Sequence, residues 1–223
     1  MLGITRRSIV EVLVGAVLAA LCLFFWMPRK APATPLTFAP VRDWVGLSSP
    51  PDARPGGKAP VVIVAFSDFQ CPYCRQLDGA LTQVAKESPN VSVVFRHHPL
   101  SAIHPFAMPA AVAAECARVQ GRFDEYRAAL FANQALVGKT TWVAFAAEAG
   151  VADTEKFDVC TRTDGSVLAR IARDIEASQT IQTRGTPAVV VNGRELSRPP
   201  SLDELRSLVA QYQGRNGSSN APR

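Results

Sequence analysis

The sequence predicts an α/β domain in which a β-α-β unit and a β-β-α unit flank a helical insertion, preceded by one membrane-spanning helix. Apolar, β-branched runs at residues 61–67 and 188–191 are typical of buried strands. Between these runs, residues 102–183 carry apolar side chains at helical spacing, and residues 8–27 are almost wholly apolar. The chain has 223 residues, of which 48% are hydrophobic, and this is enough for one main core.

The apolar segment 8–27 contains Glu11 as its only charged residue. At about 1.5 Å per residue it matches a bilayer core of about 30 Å, so it predicts a single-pass anchor, with residues 1–7 in the cytoplasm. A cleaved signal peptide is the alternative, since residues 31–33 resemble a cleavage site. The apolar run is longer than that of a signal peptide, and two basic residues at 29–30 precede the cleavage site, so an anchor is preferred.

Two segments outside the predicted domain, residues 28–58 and 214–223, have unusual composition. The first is rich in proline and predicts an extended linker, and the second has no large apolar residue and predicts a disordered tail. Together with residues 1–27 they carry nine of the 24 basic residues and three of the 19 acidic ones. The remaining domain, residues 59–213, is therefore close to neutral, which argues against nucleic-acid binding.

The first unit of the domain places two cysteines at a strand-to-helix turn. The strand at 61–67 is followed by the sequence DFQCPYC, and an amphipathic helix is predicted from Pro72 onward. A second strand is predicted at 91–96. Cys71 and Cys74 therefore lie where the first strand passes into its helix.

The second unit begins with the strand at 188–191. Asn192-Gly193 is a two-residue hairpin signal, so residues 194–197 are expected to pair back on that strand. Ser201 and Glu204 have the spacing of a capping box and predict the start of the last helix.

Cys71 and Cys74 have the spacing of a redox-active pair. At the start of a helix, free backbone N–H groups and the helix dipole favour a thiolate. We expect Cys71 to be exposed there and to act as the nucleophile, and Cys74, one turn later, to be more shielded and to resolve the mixed disulfide.

Two other interpretations of the cysteine pair are less favoured. A disulfide between them would close a very short loop and gain little chain entropy, so a structural role is poorly supported. A zinc site would need ligands such as His97, His98 and His104, but His97 follows Cys74 by about 22 residues, more than finger-type sites allow. The three histidines are instead interpreted as polar residues of a strand end and its loop.

The chain resembles the DsbA-like thiol:disulfide oxidoreductases of the thioredoxin superfamily. The resemblance covers about residues 59–213 and rests on four motifs in family order, at residues 66–74, 95–111, 121–134 and 185–193. It implies a thioredoxin fold with a helical insertion.

The resemblance also implies an activity and a set of site residues. It implies dithiol/disulfide exchange at Cys71-Pro72-Tyr73-Cys74, with Pro187 as a cis-proline and Thr186 presenting its backbone to the substrate. The expected enzyme is an oxidase of exported polypeptides in the bacterial inner membrane, with an extracytoplasmic domain, a quinone-linked membrane reoxidant and no cofactor or metal. A reductase or isomerase that uses the same residues is the first alternative, and a non-catalytic binding module is the second.

One position departs from the family pattern. Many members carry a buried acidic residue six positions before the first cysteine, where this chain has Ala65. A buried carboxylate can serve as base for the resolving thiol, so its absence slightly disfavours a fast reductase. Asp68 lies nearer the cysteines and is the candidate to take that role.

The other cysteines are Cys22, Cys116 and Cys160. Cys116 and Cys160 fall among apolar residues and could be two buried small side chains. In an oxidising compartment the even number of cysteines outside the membrane segment favours a bridge between them, which would be worth roughly 4 kcal/mol in the chain-entropy model.

Overall fold

The computed structural model describes residues 17–18, 34–42, 44–48 and 61–218. Nearly all of the predicted anchor, and Cys22 within it, lies outside these ranges. Among the residues that are described, no helix is both long and apolar enough to cross a membrane. The description below concerns the unit that begins at Leu36.

Five strands form one mixed sheet. They are β1 (Phe38–Pro40), β2 (Val61–Ser67), β3 (Val91–His97), β4 (Ala188–Val191) and β5 (Arg194–Leu196). Their order across the sheet is β1-β5-β4-β2-β3. β2 and β3 are parallel, and the β2–β4, β4–β5 and β5–β1 pairs are antiparallel.

Eight α-helices surround this sheet in the described part of the chain. They are α1 (Trp44–Ser48), α2 (Pro72–Glu87), α3 (Ala107–Val119), α4 (Phe123–Ala132), α5 (Trp142–Glu148), α6 (Thr154–Thr163), α7 (Gly165–Thr180) and α8 (Leu202–Ser218). A short 3₁₀ turn at Gln134–Leu136 follows α4. The predicted β-α-β and β-β-α units and the helical insertion between them are therefore confirmed.

Alternation along β2 directs its side chains to two different cores. Ile63 and Ala65 pack in a cluster with apolar residues of α2 and α8, whereas Val64 and Phe66 face the opposite side with Leu47 of α1. All four of these β2 side chains are buried. Burial on both faces explains why β2 is continuously apolar in sequence.

The hairpin between β4 and β5 has the conformation that Asn-Gly predicts. Asn192 and Gly193 have φ values of 44° and 77°, as a type I′ turn requires. The Asn192 side chain also accepts a hydrogen bond from the Val62 N–H at 2.8 Å, which ties the hairpin to β2. The capping box is present as well, because Ser201 and Glu204 exchange hydrogen bonds between side chain and backbone N–H.

The insertion has its own apolar core, which also contains Phe69 and both cysteines of the active-site turn. Cys116 of α3 and Cys160 of α6 are joined by a disulfide. Beneath α3, the buried carboxylate of Glu115 binds His97 of β3 at 2.8 Å and Arg170 of α7 at 3.0 Å. Because β3 is part of the sheet, this ion cluster fastens the insertion to it.

The prediction of an extended linker over residues 28–58 is wrong for residues 38–40 and 44–48, which form β1 and α1. Residues 38–40 form β1 on the edge of β5, and Leu47 of α1 is only 6% exposed. Trp44 packs against Gly193 of the hairpin. An open sheet edge and an uncovered apolar face both gain from being covered, and these residues supply the cover.

The predicted start of the tail at residue 214 is also wrong, because α8 continues to Ser218. Its capping box and buried apolar residues establish the helix earlier, and adding one residue to an existing helix costs less than starting one. Residues 219–223 lie outside the described part of the chain.

Candidate active site

The Cys-x-x-Cys turn joins the end of β2 to the start of α2. Cys71 is the N-cap of α2, and Pro72 occupies the first helical position, where no N–H is required. The Cys71 carbonyl accepts hydrogen bonds from the N–H groups of Cys74 and Arg75, at 3.1 and 3.3 Å. The two cysteines are not joined by a disulfide in this structure, and Cys74 lies one turn after Cys71.

Cys71 is 5% exposed, so the expectation of an exposed nucleophile is wrong. Thr186 and the apolar core of the insertion cover it, while the neighbouring Tyr73 is 65% exposed. A hydrogen bond from the Cys74 side chain is the main cause that lowers the pKa of Cys71, to about 5. Burial opposes this effect, and backbone groups at the helix start assist it. Cys71 is therefore the side chain of the pair that ionises at neutral pH.

Cys74 has the opposite properties. It is 1% exposed, and burial, aided by its hydrogen bond to Cys71, raises its pKa well above the ordinary value. The Ser67 side chain and the Asp68 backbone N–H donate hydrogen bonds to its sulfur, the latter at 3.4 Å. The site thus holds one thiolate and one thiol at neutral pH, the pairing that disulfide exchange requires.

Asp68 supports the active-site turn with its carboxylate. The side chain is fully buried and accepts hydrogen bonds from the N–H groups of Gln70 at 2.7 Å and Leu100 at 2.8 Å. It also binds the His104 ring at 2.8 Å. Asp68 contacts the Cys74 sulfur through its backbone N–H, whereas its carboxylate holds the loop after β3 against the turn.

The histidines have more specific contacts than the sequence indicated. His104 binds Asp68, His97 binds Glu115, and His98 binds Ser178. Each one joins the sheet or the active-site turn to another element. Among the residues that the structure describes, no three side chains of the types that bind metals come together as a metal site.

Two glutamines that sequence reasoning missed also position the turn. The side chain of Gln134, in the insertion, donates hydrogen bonds to the carbonyls of Phe69 and Cys71, both at 2.9 Å. Gln70 accepts one from the Phe106 N–H at 2.6 Å. Gln134 is 63 residues from Cys71 in sequence, so no local pattern could have revealed this contact.

Thr186 and Pro187 form the opposite side of the site. The peptide bond between them is cis, and the Cys71 thiol donates a hydrogen bond to the Thr186 carbonyl at 3.4 Å. A groove of about 720 Å³ runs past these residues from Tyr73 to Arg198. The structure therefore brings together all four residues, Cys71, Cys74, Thr186 and Pro187, that the resemblance assigned to the site.

The fold and the paired cysteines define a protein of the thioredoxin class with a Cys-x-x-Cys site. The sequence profile of the family described as thioredoxin matches residues 56–211. The chain belongs to this family.

Two solved structures illustrate the likeness. A thioredoxin-like oxidoreductase from Silicibacter pomeroyi is 28% identical, with a TM-score of 0.63 over 78% of this chain and 98% of that one. The oxidoreductase DsbA from Xylella fastidiosa is 20% identical, with a TM-score of 0.56 over 72% of this chain and 90% of that one. Both likenesses confirm the predicted fold, and the first, together with the family match, agrees with the predicted resemblance to thioredoxin-like oxidoreductases.

Curated relatives match only in part. A protein named Na⁺/H⁺ antiporter NhaA 3, from Salinispora tropica, is 35% identical over 152 residues. The match covers 68% of this chain but 23% of the antiporter, so the chain spans about a quarter of that relative's length.

Proposed function

We propose that the protein is a thiol:disulfide oxidase that donates disulfides to exported polypeptides. The observation that carries this proposal is the position of Cys71 at the N-cap of α2 with the buried Cys74 one turn later, an arrangement that lowers the pKa of Cys71 to about 5. At pH 7 its thiolate outnumbers the thiol by roughly a hundred to one. This ionisation stabilises the reduced protein and therefore makes the Cys71–Cys74 disulfide a stronger oxidant.

The reaction transfers one disulfide to the substrate. A substrate thiolate attacks the sulfur of Cys71 and breaks the Cys71–Cys74 bond, and Cys74 leaves and takes up a proton. A second substrate thiolate then attacks the substrate sulfur of the mixed disulfide and releases Cys71 as a thiolate. The substrate loses two electrons and the protein gains them. The low pKa of Cys71 makes it a good leaving group in the second step.

The surroundings of the site are suited to a polypeptide substrate. Beside the active-site turn, Tyr73, Ile103, Phe106 and Leu136 are exposed apolar side chains. On the other side of Cys71, the backbone at Thr186 faces the groove. Backbone hydrogen bonds and apolar contacts recognise many sequences, as an oxidase of varied substrates requires.

We further propose that residues 8–27 anchor the protein in a bacterial inner membrane, with the catalytic domain on the extracytoplasmic side. The disulfide between Cys116 and Cys160 supports an oxidising compartment. This chain is similar to part of a protein named as an antiporter, and that similarity supports a location of this protein at a membrane. Reoxidation requires a partner that accepts electrons, and we propose a quinone-linked membrane protein by analogy with the family.

The reduction potential distinguishes an oxidase from a reductase. We expect equilibration with glutathione buffers to give a value at least tens of millivolts above about −270 mV, the value of thioredoxin. A value near that of thioredoxin would favour the reductase. Cys71→Ser should abolish oxidation of a reduced, unfolded test protein. Cys74→Ser should trap substrates as mixed disulfides in cells, and failure to trap any would count against catalysis.

A further inference from the structure

One wall of the groove beside the active site is formed by residues that come before the predicted domain in the sequence. Phe38 and Ala39 of β1, and Thr37 just before it, line this groove. β1 is held in place by its pairing with β5 and by the Arg194 guanidinium, whose carbon lies 5.1 Å from the centre of the Phe38 ring. This wall of the groove is therefore held in position by contacts within the folded domain.

Three charged side chains line this groove: Arg184, Glu195 and Arg198. Arg198 forms a salt bridge at 2.6 Å with Glu204, which is not part of the lining. Burial raises the pKa of Glu195, although the charge of Arg184 acts in the opposite direction. The lining thus has two positive charges and one negative charge.

Arg184 is the exposed member of the three and lies two residues before Thr186. The Thr186 carbonyl is 3.4 Å from the Cys71 sulfur, so it marks where a reacting cysteine must pass. An extended chain advances about 3.3 Å per residue, and two residues therefore span about 6.6 Å. A substrate whose cysteine meets Cys71 beside Thr186 would have the side chain two positions away within the groove that Arg184 also lines.

We propose that, in this groove beside Thr186, Arg184 selects substrate segments with an acidic side chain two positions from the reacting cysteine. The proposal rests on the proposed thiol:disulfide exchange and adds a preference among its substrates. An exposed charge pair of this kind is worth at most about 1 kcal/mol. A free-energy difference of this size corresponds to a rate preference of roughly two- to five-fold.

The test uses the full-length protein in its oxidised form and a set of cysteine peptides. The peptides carry Glu, Gln or Lys two positions before or after the cysteine, and the rate of disulfide exchange is measured by stopped flow. We expect the Glu peptide to react two- to five-fold faster than the Lys peptide on at least one side. Arg184→Gln should remove this preference, and Arg184→Glu should reverse it.

The same peptide is always compared between two proteins, so that differences in peptide thiol reactivity cancel. Arg173→Gln is the matched control, because Arg173 is an exposed arginine of α7 that does not line the groove. An equal preference in wild type and Arg184→Gln would overturn the proposal. Failure of the neutral Gln peptide to react with wild type would instead overturn the proposed exchange activity itself.

Discussion

The thiol of Cys71 donates a hydrogen bond to the carbonyl of Thr186 across 3.4 Å, although the two residues are 115 positions apart in sequence. A thiolate has no proton to donate, so ionisation of Cys71 ends this hydrogen bond. The Thr186 carbonyl then has a lone pair available for a backbone N–H of the substrate. In the Cys71–Cys74 disulfide Cys71 has no proton either, so the Thr186 carbonyl can accept a hydrogen bond from the substrate backbone in both the oxidised and the ionised reduced protein.

The pKa of Cys71 should depend on the side chain at position 74. Cys74→Ala removes the hydrogen bond that is the main cause of the lowered pKa, so we expect the pKa of Cys71 to rise from about 5 by at least about one unit. Cys74→Ser keeps a hydroxyl donor and should cause a smaller rise. Thiolate absorbance in the ultraviolet, followed against pH, measures both values. Identical titration of the two variants and the reduced wild type would contradict this assignment.

The stability of the reduced protein should rise with pH. The pKa of Cys71 is lower in the folded state, about 5, than in the unfolded chain, where a cysteine has its ordinary pKa of 9.0. The unfolded chain therefore binds more protons between these values, and the free energy of unfolding increases by up to about 1.4 kcal/mol per pH unit there. This contribution is complete above about pH 9 and is lost as the pH falls through about 5.

Urea unfolding of the reduced protein at about pH 5.5 and about pH 8, near the ends of that window, measures the effect. Cys71→Ser is the control, because it keeps the fold and removes the titrating thiol. As the pH rises across this window, the free energy of unfolding of wild type should increase more than that of Cys71→Ser. A difference that stays constant across the window would show that Cys71 does not ionise as described.

The parts of the fold that the sequence predicted correctly have local signals. The continuous β-branched run of β2, the proline at the start of α2 and the Asn192-Gly193 turn each follow from the conformational preferences of neighbouring residues. The active cysteines were recognised because their spacing and their place at a helix start are also local properties.

The features that the sequence did not predict depend on contacts between distant residues. Cys71 is buried because Thr186 and the insertion cover it, and Gln134 reaches its carbonyl from 63 residues away. Asp68 is equally dependent on the loop that contains Leu100. β1 was missed because a three-residue strand among prolines has almost no periodicity, and pairing with β5 decides its conformation.

The segment before β2 should contribute to the stability of the domain, since Leu47 is buried beneath the sheet with Val64 and Phe66. Leu47→Ala should lower the free energy of unfolding by about 2–4 kcal/mol, because it removes buried apolar contacts and leaves a cavity. Leu168→Ala is the matched control, since Leu168 is 52% exposed, and it should change the free energy by no more than about 0.5 kcal/mol. Urea unfolding followed by circular dichroism measures both. An effect of Leu47→Ala as small as that of the control would mean that this segment does not belong to the cooperatively folded unit.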